Sequence, residues 1–304
     1  MSNAKDILQI RSELTAMPEF ALSARITAFS FSINIFRGNY NELRNAMLLY
    51  YQNPNGVDIL TIKNRDKLSN YQNEILRLFH NFLASASSLI DHARVLYNEL
   101  YKNDNLFPDY IQEVNKRFVE NPLAQFIVDL RHFMMHVKAL DINAEAHWAL
   151  DSFSMPLTLD KASLDEYSGW KAKAKEFLNK QEKSIDLLVL IDNYHNLIID
   201  FYKWFFDRQN EIHSEQFKRV QQKQNELQRA IIDSLLETEI ANIATDESFL
   251  ALLKPKELED VNRYDVNDPL RCESLVKYLE KRTPLSNKMK EQIKEIYKIN
   301  RTNA

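Results

Sequence analysis

Asn121-Pro122-Leu123-Ala124-Gln125-Phe126-Ile127-Val128-Asp129-Leu130-Arg131-His132-Phe133-Met134-Met135-His136 is the stretch that decides how this chain reads. Asparagine is a good helix N-cap, and proline, which has no amide hydrogen to satisfy, suits the first helical position, so a helix opens at 121–122. Leu123, Phe126, Ile127, Leu130, Phe133, Met134 and Val137 then recur at i, i+3, i+4 and i+7, the spacing of a core-facing stripe. At about 100° per residue, Gln125, Asp129, His132 and His136 fall within one narrow arc. Arg131 flanks that arc, about 140° around from His136 by the same geometry, and its long side chain can still reach a group held beside the histidines.

The same periodicity extends to either side. Upstream, Leu76, Phe79, Phe82, Leu83, Ala86, Ile90, Ala93 and Tyr97 make a second helical stripe. Its opposite face is small and polar (His80, Asn81, Ala84, Ser85, Ser87, Ser88, Asp91), which suits close approach of another helix. Phe107-Pro108 opens a further helix, expected to run to about Val119. Downstream, no glycine or proline occurs between Gly169 and Pro255, room for one or two very long helices. Leu187, Leu190, Ile191, Tyr194, Leu197, Ile198, Phe201, Tyr202, Phe205 and Phe206 form the apolar half of that region. The three stripes are expected to pack on one another, and residues 254–269 to link onto one or two terminal helices.

Only Gly38, Gly56 and Gly169 are glycine, which leaves few tight β-turns and favours helices joined by polar loops. Three segments read differently. Phe29, Phe31, Ile33 and Ile35 alternate with polar residues, a period of two that signals a strand. Residues 57–62 form a β-like run after the turn Asn53-Pro54-Asn55-Gly56, with a helix over 39–51 between the two. A third β-like stretch covers 147–159, interrupted at Pro156. The expected fold is mainly α, a helical bundle with long C-terminal helices and a small accessory β-sheet. The expected division is an N-terminal accessory segment at 1–67, a helical core at 68–215 and a C-terminal helical extension at 216–304.

Composition narrows the function classes. The 304 residues are 45% hydrophobic and 27% charged, ordinary globular values. Cys272 is the sole cysteine, which excludes an intramolecular disulfide and a thiolate-rich metal site. No apolar run reaches the ~20 residues of a membrane span; the greasiest, 187–206, is broken by Asp192, Asn193, Asp200 and Lys203. Residues 1–11 do not read as a signal peptide, so the expected compartment is the cytoplasm. A net charge of −4 argues against general coating of nucleic acid and leaves only local basic faces, such as Lys171, Lys173 and Lys175, for that role. The chain has neither a Walker-type phosphate loop nor a nucleophile elbow.

Arg131, His132 and His136 are therefore the candidates for chemistry. Imidazole suits proton transfer near neutral pH, and guanidinium suits phosphate oxygens. Asp129, His132 and His136 also have the face spacing of two or three metal ligands, but no second His/Glu pair completes a shell.

The run Arg131-His132-Phe133-Met134-Met135-His136 resembles the signature of HEPN domains, which is arginine, a polar residue, three residues and histidine. His80-Asn81-Phe82 with Ser87-Ser88-Leu89-Ile90-Asp91, and the later Trp170, Ala174-Lys175 and Phe201-Tyr202-Lys203-Trp204, are similar to flanking helices of that family. The resemblance covers roughly residues 68–215. It implies a HEPN-like bundle and a metal-independent endoribonuclease without cofactor, acting as a homodimer on RNA in a toxin or antiviral-defence setting with a defence-system partner protein. It further implies His136 as acid/base, Arg131 on the phosphate, His132 as aligner or second acid/base, and His80, Asn81 and Asp91 as supporting residues. The alternatives are a non-catalytic helical interaction or scaffold module, and a metal-binding helical bundle.

Overall fold

The computed structural model describes residues 2–149, 152–237, 246–265 and 268–302. In chain order its helices and strands are α1 (Ser2–Ala16), α2 (Pro18–Tyr51), α3 (Arg65–Leu100), α4 (Tyr110–Val114), α5 (Pro122–His136), β1 (Ile142–Ala144), β2 (His147–Ala149), β3 (Ser152–Ser154), β4 (Leu157–Asp160), α6 (Lys161–Asp165), α7 (Ala172–Asn179), β5 (Ser184–Asp186), α8 (Leu187–Ile212), α9 (Ser214–Glu237), α10 (Asp246–Leu250), α11 (Pro255–Asn262), α12 (Pro269–Glu280) and α13 (Asn287–Thr302). The protein is 77% helical, so the fold is mainly α with a small accessory sheet. Among the described residues no helix is long and apolar enough to cross a membrane.

Two compact units divide the chain: Arg25–Ile212, and Met1–Ala24 with His213–Ala304. The boundaries differ from those expected at 68 and 216. Most of the N-terminal segment contributes directly to the helical core, because Phe29, Ile33, Phe36, Leu43 and Met47 of α2 are buried in it. The strand expected at 29–35 is part of α2. Phe29, Ile33 and Phe36 point inward at i, i+4 and i+7, while Phe31 and Ile35 stand 65% and 61% exposed. Two outward apolar residues thus imitated an alternation that burial does not follow. The β-like run at 57–62 is likewise a 3-10 helix, Pro54–Leu60.

In the Arg25–Ile212 unit, α3 and α8 supply the largest share of the core. Phe79, Phe82, Leu89, Ile191, Ile198 and Phe205 are all essentially inaccessible. The Tyr202 hydroxyl donates to the Leu89 carbonyl at 2.9 Å, tying α8 to α3 through a buried hydrogen bond. Helix α5 begins as its sequence dictates: Asn121 Oδ1 accepts from the amides of Leu123 (3.0 Å) and Ala124 (3.2 Å), and Pro122 takes the first position. It packs on α3, as expected, but most extensively on α7, which the three-stripe reading did not include. Phe126 stacks on Phe177 with ring centres 4.6 Å apart. A three-stranded antiparallel sheet, order β1-β4-β5, follows α5, with Ile142 opposite Leu159 and Leu159 opposite Ile185. Strands β2 and β3 form a separate antiparallel pair, so the stretch 147–159 does carry strands, apart from residues 150 and 151, which lie outside the described residues.

In the other unit, α1 packs along α9, where Lys223 pairs with Glu13 at 2.6 Å; Arg219 of α9 pairs with Glu19, in the first turn of α2, at 2.9 Å. Ile232, Phe249, Val261, Leu275, Leu279 and Ile293 form its core. Residues 255–262, expected to be linker, are helix α11, which packs against α12.

Candidate functional site

The outer face of α5 divides into a committed half and an uncommitted half. Toward the N-terminus, Gln125 Nε2 donates to the Phe118 carbonyl at 2.9 Å. One turn on, Asp129 is buried; its Oδ2 accepts the Lys171 amide at 2.8 Å and its Oδ1 pairs with Lys171 Nζ at 3.4 Å. Burying a carboxylate is costly without such partners. The pair fixes the start of α7 to α5, because Lys171 is the N-cap position of α7 and its own side chain makes no cap.

Farther along α5, Arg131, His132 and His136 are exposed. The two imidazoles sit on successive turns with ring centres 4.7 Å apart and planes tilted by 47°. None of the three makes a hydrogen bond or ion pair with a described residue. The charge of Arg131 is felt by Tyr194 of α8, whose phenol is pushed well above its ordinary pKa by burial, with the guanidinium opposing that rise. Helix spacing puts His132 and His136 on one arc with Arg131 to its side, and all three reach solvent.

They line a hollow of about 350 Å³ with Val128, Asp129 and Met135 of α5 and Tyr167, Gly169 and Lys171 of the segment before α7. This opposite wall was missed by the sequence reading, although Lys171 had been noted as basic and Gly169 as one of three glycines. Its construction is specific. Trp170 is buried, donates from Nε1 to the Leu164 carbonyl at 2.7 Å, and stacks near Phe133 with centres 5.9 Å apart. Tyr167 meets Phe133 and Trp170 edge-on, at 5.1 and 5.2 Å. Gly169 lies so close under this ring that a Cβ there would collide with the Tyr167 hydroxyl and ring. Close approach and not backbone conformation is what favours glycine at 169: a side chain there would displace the Tyr167 ring, and no glycine has a positive φ among the described residues.

The supporting residues expected on α3 fare unequally. His80 Nε2 lies 2.9 Å from the Met135 thioether sulfur, so it contacts a residue of the hollow. Asn81 is half-buried on α3 and is not among the lining residues. Asp91 pairs with Arg94 at 3.0 Å; at ~1.5 Å rise per residue it stands roughly 16 Å along α3 from His80 and takes no part. The metal-ligand alternative loses its third member, because both Asp129 oxygens are occupied by Lys171. Among the described residues no group of three or more His, Cys, Asp or Glu side chains is arranged to hold a metal ion.

The hollow can bind an anion. Arg131 and Lys171 line it with a single carboxylate, Asp129, and the two imidazoles add ring nitrogens that can hydrogen-bond. No family model, no curated protein and no solved structure matches the chain.

Proposed function

We propose that this protein is a metal-independent endoribonuclease of the HEPN type, with its active site in the hollow on α5. The observation that carries the reading is that Arg131, His132 and His136 line one hollow with their hydrogen-bonding capacity uncommitted. Neutral His136 takes the proton of a ribose 2′-hydroxyl as that oxygen attacks the adjacent phosphorus. The bond to the 5′ oxygen breaks, and protonated His132 delivers a proton to the leaving oxygen. Arg131 forks onto the non-bridging oxygens, whose charge grows in the phosphorane. The products are a 2′,3′-cyclic phosphate and a 5′-hydroxyl.

The same reading has the chain act in the cytoplasm as a homodimer, in a toxin or defence setting with a regulatory partner; sedimentation at micromolar concentration checks the dimer. The direct test is cleavage of single-stranded RNA in EDTA by the wild type, and by His136→Ala and Arg131→Ala variants whose melting is unchanged. Cleavage that survives both substitutions sinks the reading. Activity abolished by EDTA and restored by a divalent metal would replace it with metal-assisted hydrolysis.

A further inference from the structure

We infer that the wall opposite α5, Tyr167 to Lys171, is a nucleotide subsite that makes the hollow select one unpaired ribonucleotide of a single strand. The inference rests on the ribonuclease reading for the identity of the polymer and on separate observations for the wall. Three features of the wall point to it. Lys171, on the segment before α7, brings a second cation to the hollow, with its side chain 67% exposed although its amide is anchored on buried Asp129. Asp129 thus holds the Lys171 backbone in place and pairs loosely with its ammonium, while most of the side chain stays exposed. Tyr167 presents an aromatic ring that is half-buried and fixed from behind by Phe133 and Trp170. Gly169 removes the one side chain that would displace this ring.

Size and charge agree. A volume of about 350 Å³ lies at the small end of ligand pockets, which run from about 300 to 1,000 Å³. It accommodates about one nucleotide and cannot admit a duplex. Unpaired bases are recognised by stacking on aromatic rings, and the backbone is held by lysine and arginine. Here the base stacks on Tyr167, Lys171 contacts the phosphate next to the scissile one, and Arg131 with the histidines faces the scissile group. The overall charge of −4 makes this local pair of cations the determinant of where the strand sits.

The test uses the full chain and a 2′-O-methyl RNA octamer of mixed sequence, which lacks the attacking hydroxyl, with binding read by fluorescence anisotropy. Tyr167→Leu is expected to weaken binding about tenfold, the scale of one lost base stack. Tyr167→Phe should bind like the wild type. Lys171→Ala should weaken binding and make the salt dependence shallower by about 0.7 in the slope of log K against log salt, one phosphate contact to a single strand. Gly169→Ala should reproduce the Tyr167→Leu defect without touching the strand. Lys171→Ala also strips buried Asp129 of its charge partner, so its binding is read at a temperature well below its own melting, and comparison of Tyr167→Leu with Tyr167→Phe, which both leave that pair intact, keeps the result independent of folding. Wild-type levels of binding in both Lys171→Ala and Tyr167→Leu overturn the inference, as does equal affinity for a duplex of the same strand or no binding of the octamer at all. Loss of cleavage in His136→Ala alongside undiminished octamer binding in the wall variants would leave the ribonuclease reading standing and remove only the subsite. Tyr167- and Lys171-dependent binding by a protein that never cleaves RNA would do the reverse.

Discussion

The Arg25–Ile212 unit carries two hollows of similar make-up and opposite condition. One, of about 270 Å³, lies between α2 and α3 and is lined by Arg25, Ser32, His92, Glu99 and the apolar Phe29, Val95 and Leu96. The other is the hollow on α5. Both offer an arginine and a histidine beside apolar side chains. In the first, however, Ser32 Oγ and His92 Nδ1 are hydrogen-bonded at 2.7 Å and Arg25 is paired with Glu99. In the second, Arg131, His132 and His136 have no such partners, and the neighbouring Asp129–Lys171 pair does structural work beside them. Residue types alone do not separate the two hollows; what separates them is how much donor and acceptor capacity is left for a ligand.

The contrast can be broken most directly by activity. His136→Ala and Arg131→Ala are each expected to lower metal-free RNA cleavage by at least ~10²-fold, the scale of a lost general acid/base or charge stabiliser. His92→Ala and Ser32→Ala are expected to leave it unchanged. Equal losses on both sides, in an end-labelled RNA assay, would erase the distinction drawn here.

Stability sharpens it next. Phe126→Ala removes a fully buried ring stacked on Phe177 and should cost about 3–5 kcal/mol in urea unfolding. Asn121→Ala removes a cap that holds two amides of α5 and should cost about 1 kcal/mol. His92→Ala, which cuts an exposed hydrogen bond, should fall within about 0.5 kcal/mol. A Phe126→Ala cost no larger than that of His92→Ala would mean that α5 is not anchored on α7 as described.

The smallest effect expected is a pH dependence from a histidine outside both hollows, His195. His195 of α8 stacks on Tyr40 with centres 3.7 Å apart and on Phe36 at 5.6 Å, and its Nδ1 is buried without a hydrogen-bond partner. Burial disfavours its charged form and lowers its pKa, with the nearby Arg37 adding to the effect and Asn196 and Asp192 opposing it. The unfolded chain therefore binds a proton at His195 more readily than the folded one. Its contribution to stability is present above the unfolded value, about 6.5, and is lost as pH falls from there through the lower folded value. Chemical denaturation of the wild type between pH 7 and 5 should show this slope, and His195→Phe should flatten it. An identical slope in the variant would assign the pH dependence to other groups.

How much of this was legible beforehand follows from the range of each signal. The cap at Asn121-Pro122, the stripes of α5 and α3 and the long apolar course of α8 depend on neighbours three or four residues apart, and they could be read directly. The alternation at 29–35 misled for the same reason. Its local pattern admits a strand, and only the burial of Phe29, Ile33 and Phe36 against α8 and α3 selects the helix. Helix α7 was not singled out because its eight residues give too short a stripe to stand out.

Sequence by itself determined a mainly helical chain, the helix that begins at Asn121, and the placement of His132 and His136 on one arc of it with Arg131 to the side, because helical pitch fixes how such residues project. Tertiary structure alone decided which of these polar groups remain available. Asp129 and Lys171 are 42 residues apart, and no local rule couples them. Their contact exists because α7 packs on α5 through Phe126, Phe177 and Trp170, and that packing commits Asp129 to structure, builds the wall of Tyr167 and Lys171, and leaves the two histidines facing the hollow.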